Sequence, residues 1–187
     1  MSLGRTIVLG CLLLLGGCGA ERSHRMLDGG ATASVQQDAG YTLLLSLLED
    51  ESRVDGILMI KSLPEPVVRL VKAISEASRS GVQRITEVLE EPPVVTPGND
   101  GLPLIEVEAR ARIRQWTTVA LLTGSGTALE RALLVSQLQA VDSIRALCEA
   151  LIEQETSAPR VAVLEQALES FTGIRARVWA RLAEVGD

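Results

Sequence analysis

Apolar side chains recur at three- and four-residue steps along most of the chain between positions 41 and 182. This spacing places them on one face of an α-helix, and the strict alternation of a β-strand does not persist in the sequence. The composition is rich in leucine, alanine, valine, arginine and glutamate, which favours helices. We therefore predict an all-α fold, an antiparallel up-and-down bundle of four to five helices joined mainly by short turns.

Capping and helix-breaking residues give the predicted helix boundaries. Asp38 can cap the first helix, and Ser62-Leu63-Pro64-Glu65 and Thr127-Ala128-Leu129-Glu130 match capping boxes for the second and fourth helices. A proline- and glycine-rich loop separates the second helix from the third. The predicted helices cover about residues 41–60, 62–91, 104–123, 127–155 and 161–182.

Gly124-Ser125-Gly126 is expected to separate the third helix from the fourth. A kink inside one long helix is the other possibility, and it would lower the helix count to four. The segment is not a nucleophile elbow, because no strand precedes it and no helix carries a histidine that could activate Ser125.

Two helices carry stripes with specific expectations. In the fourth helix Ser136 and Gln137 interrupt the apolar face, where they satisfy each other, fix the helix register or, as a less favoured option, line a ligand pocket. The stripe of the third helix is expected to face the core, and it consists of Ile105, Ala109, Ile113, Trp116 and Ala120.

The first helix contains more leucines than one stripe can hold, namely Leu43, Leu44, Leu45, Leu47 and Leu48. Some of them must contact another helix, a partner or the membrane surface. An apolar outer face on this helix would support a domain that works by binding another protein.

The first eighteen residues follow a different pattern. Arg5 supplies a positive charge, and an apolar run of about ten residues follows, as in a secretory signal. This run is too short to span a bilayer, which needs about twenty apolar residues. It ends in Leu15-Gly16-Gly17-Cys18, where two small residues precede a thiol.

This segment resembles the bacterial lipoprotein signal, which has leucine three positions before the cysteine and glycine directly before it. The resemblance implies that Cys18 receives a diacylglycerol, that the signal is cleaved before it and that the new amine becomes available for acylation. Two or three acyl chains anchor stably, because each buried methylene contributes about 0.8 kcal/mol. The alternative is an ordinary signal peptide with a chance cysteine at its end.

We therefore predict a lipoprotein signal peptide over 1–17, a lipid-anchored flexible tether over 18–40 and a helical bundle domain over 41–187. Membrane lipid is the expected partner of the N-terminus through Cys18. Gly19 stands where an aspartate would often imply retention in the inner membrane. By this analogy the expected location is the cell envelope, at the periplasmic face of the outer membrane.

Charge and ring content exclude some partners. The net charge of -6 argues against nucleic acid, which binds basic surfaces. Aromatic residues make up 2% of the chain, so the core must be aliphatic and few rings could stack on bases or sugars. With Cys11 cleaved off and Cys18 acylated, Cys148 has no intramolecular disulfide partner. We expect a buried, inert thiol there, and a reactive or intermolecular thiol is the alternative.

The helix lengths and their order also resemble ferritin-like proteins, including small bacterial envelope families of unknown function. The resemblance implies a di-iron site built from glutamates and two Glu-x-x-His motifs. Here the motif fails, because Glu76 and Glu130 are not followed by histidine, and the single histidine, His24, lies in the tether. Carboxylates alone, such as Glu76, Glu108, Glu130 and Glu149, could hold a hard cation. We expect no metal and no cofactor.

Charged pairs on the third helix are expected to be surface ion pairs. Glu106 and Glu108 each precede an arginine by four positions, Arg110 and Arg112 respectively, which suits a solvated helix face. The alternative is that Arg112 and Arg114 receive an anionic ligand. The sequence contains no phosphate loop, haem attachment motif or zinc spacing, and we predict no catalytic residues and no enzyme activity.

These observations favour a membrane-anchored envelope lipoprotein whose helical domain is an interaction or structural module, with a protein partner or a second copy of the chain. A carrier of a small apolar ligand is the first alternative, with room between the helices at Ser78, Gly81 and Ala140. A ferritin-like metal protein with a degenerate site is the second.

Overall fold

The computed structural model describes residues 29–92, 94–97 and 104–185, with side chains from residue 36 onward. The predicted signal and Cys18 lie outside these residues. A 3₁₀ helix, Val54–Met59, joins the first two of five α-helices, which are α1 (Gly29–Glu51), α2 (Glu65–Leu89), α3 (Leu104–Thr123), α4 (Gly126–Gln154) and α5 (Ala158–Glu184). The predicted all-α fold with antiparallel helix packing is confirmed.

Four helices surround the main core. α4 packs against α1 and α5, and α2 packs against the same two helices, so each of the four contacts two neighbours. α3 lies outside this group and packs against α4. The core is largely aliphatic, as expected, and its buried members are Tyr41, Leu44, Leu48, Leu70, Ile74, Ile85, Leu89, Leu134, Val141, Ile144, Cys148, Leu151, Leu164, Ala167, Phe171, Ile174 and Val178.

A second, smaller apolar cluster lies between α2 and α4. Val67, Val71 and Leu133 are its buried members. The 3₁₀ helix and the last part of α3 cover it with partly buried side chains, which include Leu58 and Leu121. This cluster is the apolar contact of α3 with the bundle.

The bounds of α1 differ from the prediction at both ends. The helix begins at Gly29, so residues 29–40 are helical rather than part of a flexible tether, and Asp38 is not its cap. This part has few large apolar residues, and the side chain of Gln37 is instead bonded to Glu155. α1 ends at Glu51, because the chain turns there into the 3₁₀ helix.

The two predicted capping boxes do not form. Pro64 is the N-cap of α2 and Ser125 that of α4, and neither helix has a side-chain cap hydrogen bond. Pro66 lies in the first turn of α2, where a missing amide hydrogen leaves no helical hydrogen bond unmade. Glu130 forms an ion pair with Arg181 of α5 at 2.6 Å instead of capping α4.

The segment 124–126 is a turn, and a kink in one long helix is ruled out. A Cβ atom on Gly124 would lie 2.9 Å from the carbonyl oxygen of Ala120, too close for any other residue without a shift of the backbone. Gly126 has a φ of +57°, which L side chains rarely adopt. Both glycines are therefore needed for the chain to reverse from α3 into α4.

The leucines of α1 do not form an outer apolar face. Leu44 and Leu48 are fully buried, and the other three are partly buried. Because α1 lies between α2 and α4, it can bury more than one side. Of the three contacts considered for these leucines, contact with other helices is the one observed.

Candidate functional site

The exposed apolar surface lies on α3. None of the described residues of this helix is buried. Ile105 is 74% exposed, Ile113 55% and Trp116 66%, and Ala109 and Ala120 are also exposed. These five residues, here called the α3 stripe, were predicted to face the core. That prediction is wrong, and the stripe faces solvent.

The rotation of α3 follows from its anchors to the bundle. Lys61 donates hydrogen bonds to the carbonyl oxygens of Leu122 at 2.6 Å and Gly124 at 2.9 Å, which fixes the C-terminal end of the helix. Arg114 binds Asp50 of α1 at 3.3 Å. Together with Leu121 in the small cluster, these contacts turn one side of α3 inward and leave the stripe outside.

The stripe is part of a larger apolar surface. Most of the large, strongly exposed apolar side chains in the described part of the chain lie on α3. Contiguous apolar patches of this kind on a soluble domain mark interaction sites more often than chance exposure does. Next to the stripe, a shallow groove between α3 and α4 is lined by Thr117, Ala120, Leu121, Ala132, Val135, Ser136 and Gln139.

Some of the charged residues beside the stripe form salt bridges and others do not. Arg110 binds Glu106 at 2.8 Å, as predicted. The predicted pair of Glu108 and Arg112 does not form, and both residues are exposed without a salt bridge to any described residue. The structure therefore holds Arg114 against Asp50 and does not join it with Arg112 in an anion site.

A buried polar network joins α1 to the turn between α4 and α5. Tyr41 and Gln37 donate hydrogen bonds to Oε2 of Glu155 at 2.7 and 2.6 Å. The other carboxylate oxygen accepts from the backbone amides of Thr156 and Ser157, both at 2.9 Å. These two amides precede α5, so Glu155 closes the end of α4 and positions the start of α5 at once.

Arg160 completes this network. Its guanidinium lies 3.7 Å from Glu155, with side chains 2% and 1% exposed, and it donates to the carbonyl oxygen of Glu91 at 3.0 Å. The end of α2 is thereby attached to the same point. Sequence reasoning missed this network, and its one local signal was a glutamate directly before the helix-starting segment 156–159.

The network shifts the pKa values of Tyr41 and Glu155, the two groups that form its central hydrogen bond. Burial and the bond to Glu155 raise the pKa of the Tyr41 phenol, which stays protonated. Burial alone would raise the pKa of Glu155, but the hydrogen bonds from Tyr41 and Ser157 and the charge of Arg160 outweigh it and lower that pKa. The carboxylate is therefore held ionised inside the protein.

A second buried carboxyl group lies between α1 and α4. The amide of Gln137 donates to Glu51, but burial outweighs this bond and the charge of Asp50 adds to burial, so the pKa of Glu51 rises to about 7. Oε2 of Glu51 and Oε1 of Gln137 have no partner among the described residues.

Gln137 and Ser136 therefore do not satisfy each other. Ser136 donates to the carbonyl oxygen of Leu133 in its own helix at 2.8 Å, whereas Gln137 is 4% exposed and bonded to Glu51. Gln137 of α4 therefore contacts α1 through Glu51.

The remaining candidate residues are dispersed. Glu76, Glu108 and Glu149 are exposed, and Glu130 is paired with Arg181. Among the described residues no group of three or more histidine, cysteine, aspartate or glutamate side chains could hold a metal ion. Cys148 is buried and free, as predicted, and burial raises the pKa of its thiol to about 12.

Of the three positions expected to leave room for a ligand, Gly81 is occupied by a side chain of another helix. A Cβ atom on Gly81 would lie 3.3 Å from Leu48, so this glycine admits a leucine of α1 rather than a cavity. Ser78 is fully buried in the same helix, and Ala140 is partly buried.

The fold and this surface define an all-α domain in which four helices enclose the core and a fifth presents an apolar face to solvent. In comparisons with known proteins, no family model, no curated protein and no solved structure matches the chain. Within the described residues, every helix is too short or too polar to cross a membrane.

Proposed function

We propose that this protein is a lipid-anchored lipoprotein of the bacterial cell envelope, and that its helical domain is a protein-docking module rather than an enzyme. The observation that supports docking is the α3 stripe, which has the periodicity of a core-facing stripe but lies in solvent. A helix that exposes such a face gains free energy when a partner covers it, about 25 cal/mol for each Å² of apolar surface removed from water.

The anchor half of the proposal is supported by the sequence Leu15-Gly16-Gly17-Cys18. In this proposal Cys18 is the lipidated residue, membrane lipid is its partner, and the domain works at the periplasmic face of the outer membrane. Neither catalysis nor a metal or cofactor is part of the proposed function.

The anchor is tested by expressing the full chain in bacteria and measuring the mass of the N-terminal peptide. We expect a peptide that begins at Cys18 and carries a diacylglycerol, in the membrane fraction. Cys18→Ser should abolish the added mass. A chain that keeps residues 1–17, or an unmodified Cys18 in the wild type, contradicts the anchor.

The docking surface is tested in cells with a photoreactive amino acid at position 113 or 116, and at position 169 of α5 as an exposed control. We expect one adduct, identified by mass spectrometry as the same protein from both stripe positions and absent from position 169. If the stripe positions give no more adduct than the control, the α3 stripe is not a docking surface.

A further inference from the structure

Four of the five residues of the α3 stripe have a spacing that matches itself to within one position when the helix is reversed. The fifth, Ala120, would lie beyond Leu104, where α3 of the other copy begins. Ile105, Ala109, Ile113 and Trp116 follow one another at steps of four, four and three residues. When two such helices lie antiparallel, Ile105 of each lies beside Trp116 of the other, and Ala109 lies beside Ile113. Each large side chain at the centre therefore faces a small one, which lets the helices approach closely.

The charges next to the stripe agree with the same arrangement. Glu108 and Arg112 lie on one flank of α3, exposed and without a salt bridge to any described residue. In an antiparallel helix pair each flank meets the same flank of the other helix, so Glu108 of one copy faces Arg112 of the second. A parallel pair would instead bring each flank against the opposite flank of the other helix, so Glu108 and Arg112 would not meet.

We propose that the α3 stripe binds a second copy of this chain through an antiparallel contact between the two α3 helices, with a two-fold axis near residues 110–111 and two Glu108–Arg112 ion pairs at its edge. This inference rests on the proposed function of the stripe as a docking surface. It is an isologous contact, so the same patch serves both subunits.

One helix from each copy gives a smaller contact than the roughly 800 Å² per partner of a standard stable interface. The dimer is therefore weak in dilute solution. Attachment of both copies to one membrane raises their effective concentration and favours the pair without any new contact. The test has to be made on the anchored full chain for this reason.

The experiment uses the full chain in bacterial membranes with Ala109→Cys, close to the proposed axis, and a short reagent that joins two thiols. A direct disulfide is not expected, because position 109 lies beside position 113 of the second copy rather than beside itself. Glu169→Cys on the exposed surface of α5 is the control, and Cys148 does not interfere because it is buried. We expect a cross-linked product of twice the chain mass from position 109 and none from position 169.

Charge reversal tests the orientation. In the Ala109→Cys background, Glu108→Arg and Arg112→Glu should each lower the cross-linked fraction about fivefold, because two attractive pairs become repulsive. The double variant should restore cross-linking, since the pairs form again with their signs exchanged. All three residues are on the exposed helix surface, so the variants should fold alike.

Three other results would contradict the antiparallel contact, the second copy or both proposals. Full cross-linking in both single reversals contradicts the antiparallel contact. An adduct of position 109 with a different protein contradicts the second copy but leaves the docking function intact. The absence of any adduct from position 109, together with unreacted stripe positions in the photo-cross-linking experiment, overturns both proposals.

Discussion

The phenol of Tyr41 donates a hydrogen bond of 2.7 Å to the carboxylate of Glu155, 114 positions later in the chain. The ring of Tyr41 is fully buried in the main core, while its oxygen reaches the polar turn between α4 and α5. This bond joins the apolar interior to the charged network around Glu155, and its two ends can be tested separately.

Tyr41→Phe should lower the free energy of unfolding by about 1.5–3 kcal/mol, the usual contribution of a hydrogen bond to a charged group. The ring remains and its packing with it, so the loss reports the hydroxyl alone. Chemical denaturation at pH 7 measures it. Trp179→Phe changes a ring that is 56% exposed and should have a much smaller effect. Equal stability of Tyr41→Phe and the wild type would show that the bond contributes nothing.

Glu155 should make the protein sensitive to acid. Its pKa is lowered in the folded state, so it stabilises the fold above its unfolded pKa, and this contribution is lost as the pH falls through the folded pKa. Glu155→Gln should cost on the order of 3 kcal/mol at pH 7, because it removes the carboxylate that balances the buried charge of Arg160.

The check on Glu155 is urea denaturation from pH 7 down to pH 3. The wild type should lose stability below about pH 4.5, and Glu155→Gln should lose less over the same range. Glu153→Gln changes an exposed carboxylate two positions away and should follow the wild type. An identical acid profile for Glu155→Gln would contradict the role assigned to this carboxylate.

Glu51 should act in the opposite direction. Its folded pKa is raised from 4.5 to about 7, so the folded state binds the proton more tightly than the unfolded state. The free energy of unfolding should therefore fall as the pH rises from about 4.5 to 7 and level off above, by at most about 3 kcal/mol. Glu51→Gln should remove this slope.

The charges near Glu51 allow this assignment. On α1 its neighbour Asp50, whose charge adds to the rise in the pKa of Glu51, is bound to Arg114 of α3. From α4 the group that faces Glu51 is the neutral amide of Gln137. Glu49→Gln, on the exposed side of α1, is the matched control and should keep the slope. A slope that survives in Glu51→Gln must come from another group.

The α3 stripe should contribute little to the stability of an isolated chain. The double variant Ile113→Ser and Trp116→Ser is expected to change the free energy of unfolding by less than about 1 kcal/mol, as for surface substitutions. Leu133→Ala in the small cluster should cost about 2–5 kcal/mol. Thermal and urea unfolding of the three proteins measure this difference. A large loss in the stripe variant would mean that the stripe packs inside the domain.

The bounds of α3 could be predicted because they depend on local residues, a proline before Leu104 and a glycine after Thr123. The rotation of α3 about its own axis could not be predicted from the sequence. Periodicity shows which residues share a face, but the direction of that face was set by Lys61 and Arg114, which bind groups 61 and 64 positions away. No local pattern contains such contacts.

The same limit explains the other differences. Residues 29–40 lack the apolar periodicity of a core helix, and the contact of Gln37 with Glu155 spans 118 positions. The burial of Cys148 could be predicted, because it lies on a regular apolar stripe. The pairing of Glu51 with Gln137 could not be predicted. Glu51 resembles an ordinary polar residue at a helix end, and Gln137 resembles one that interrupts an apolar stripe.

The large sequence separation of Tyr41 and Glu155 also affects the order in which the helices can pack during synthesis. A chain is synthesised from its N-terminus, so α1 emerges long before Glu155, to which Tyr41 binds. Of the two neighbours of α1, α2 follows directly and α4 comes later. One side of α1 can therefore pack against α2 early, while the side that packs against α4 is covered only later. Contacts of such long sequence separation slow folding relative to a bundle of neighbouring helices. Until α4 has arrived, that side of α1 has to be kept from other apolar surfaces by something other than this fold.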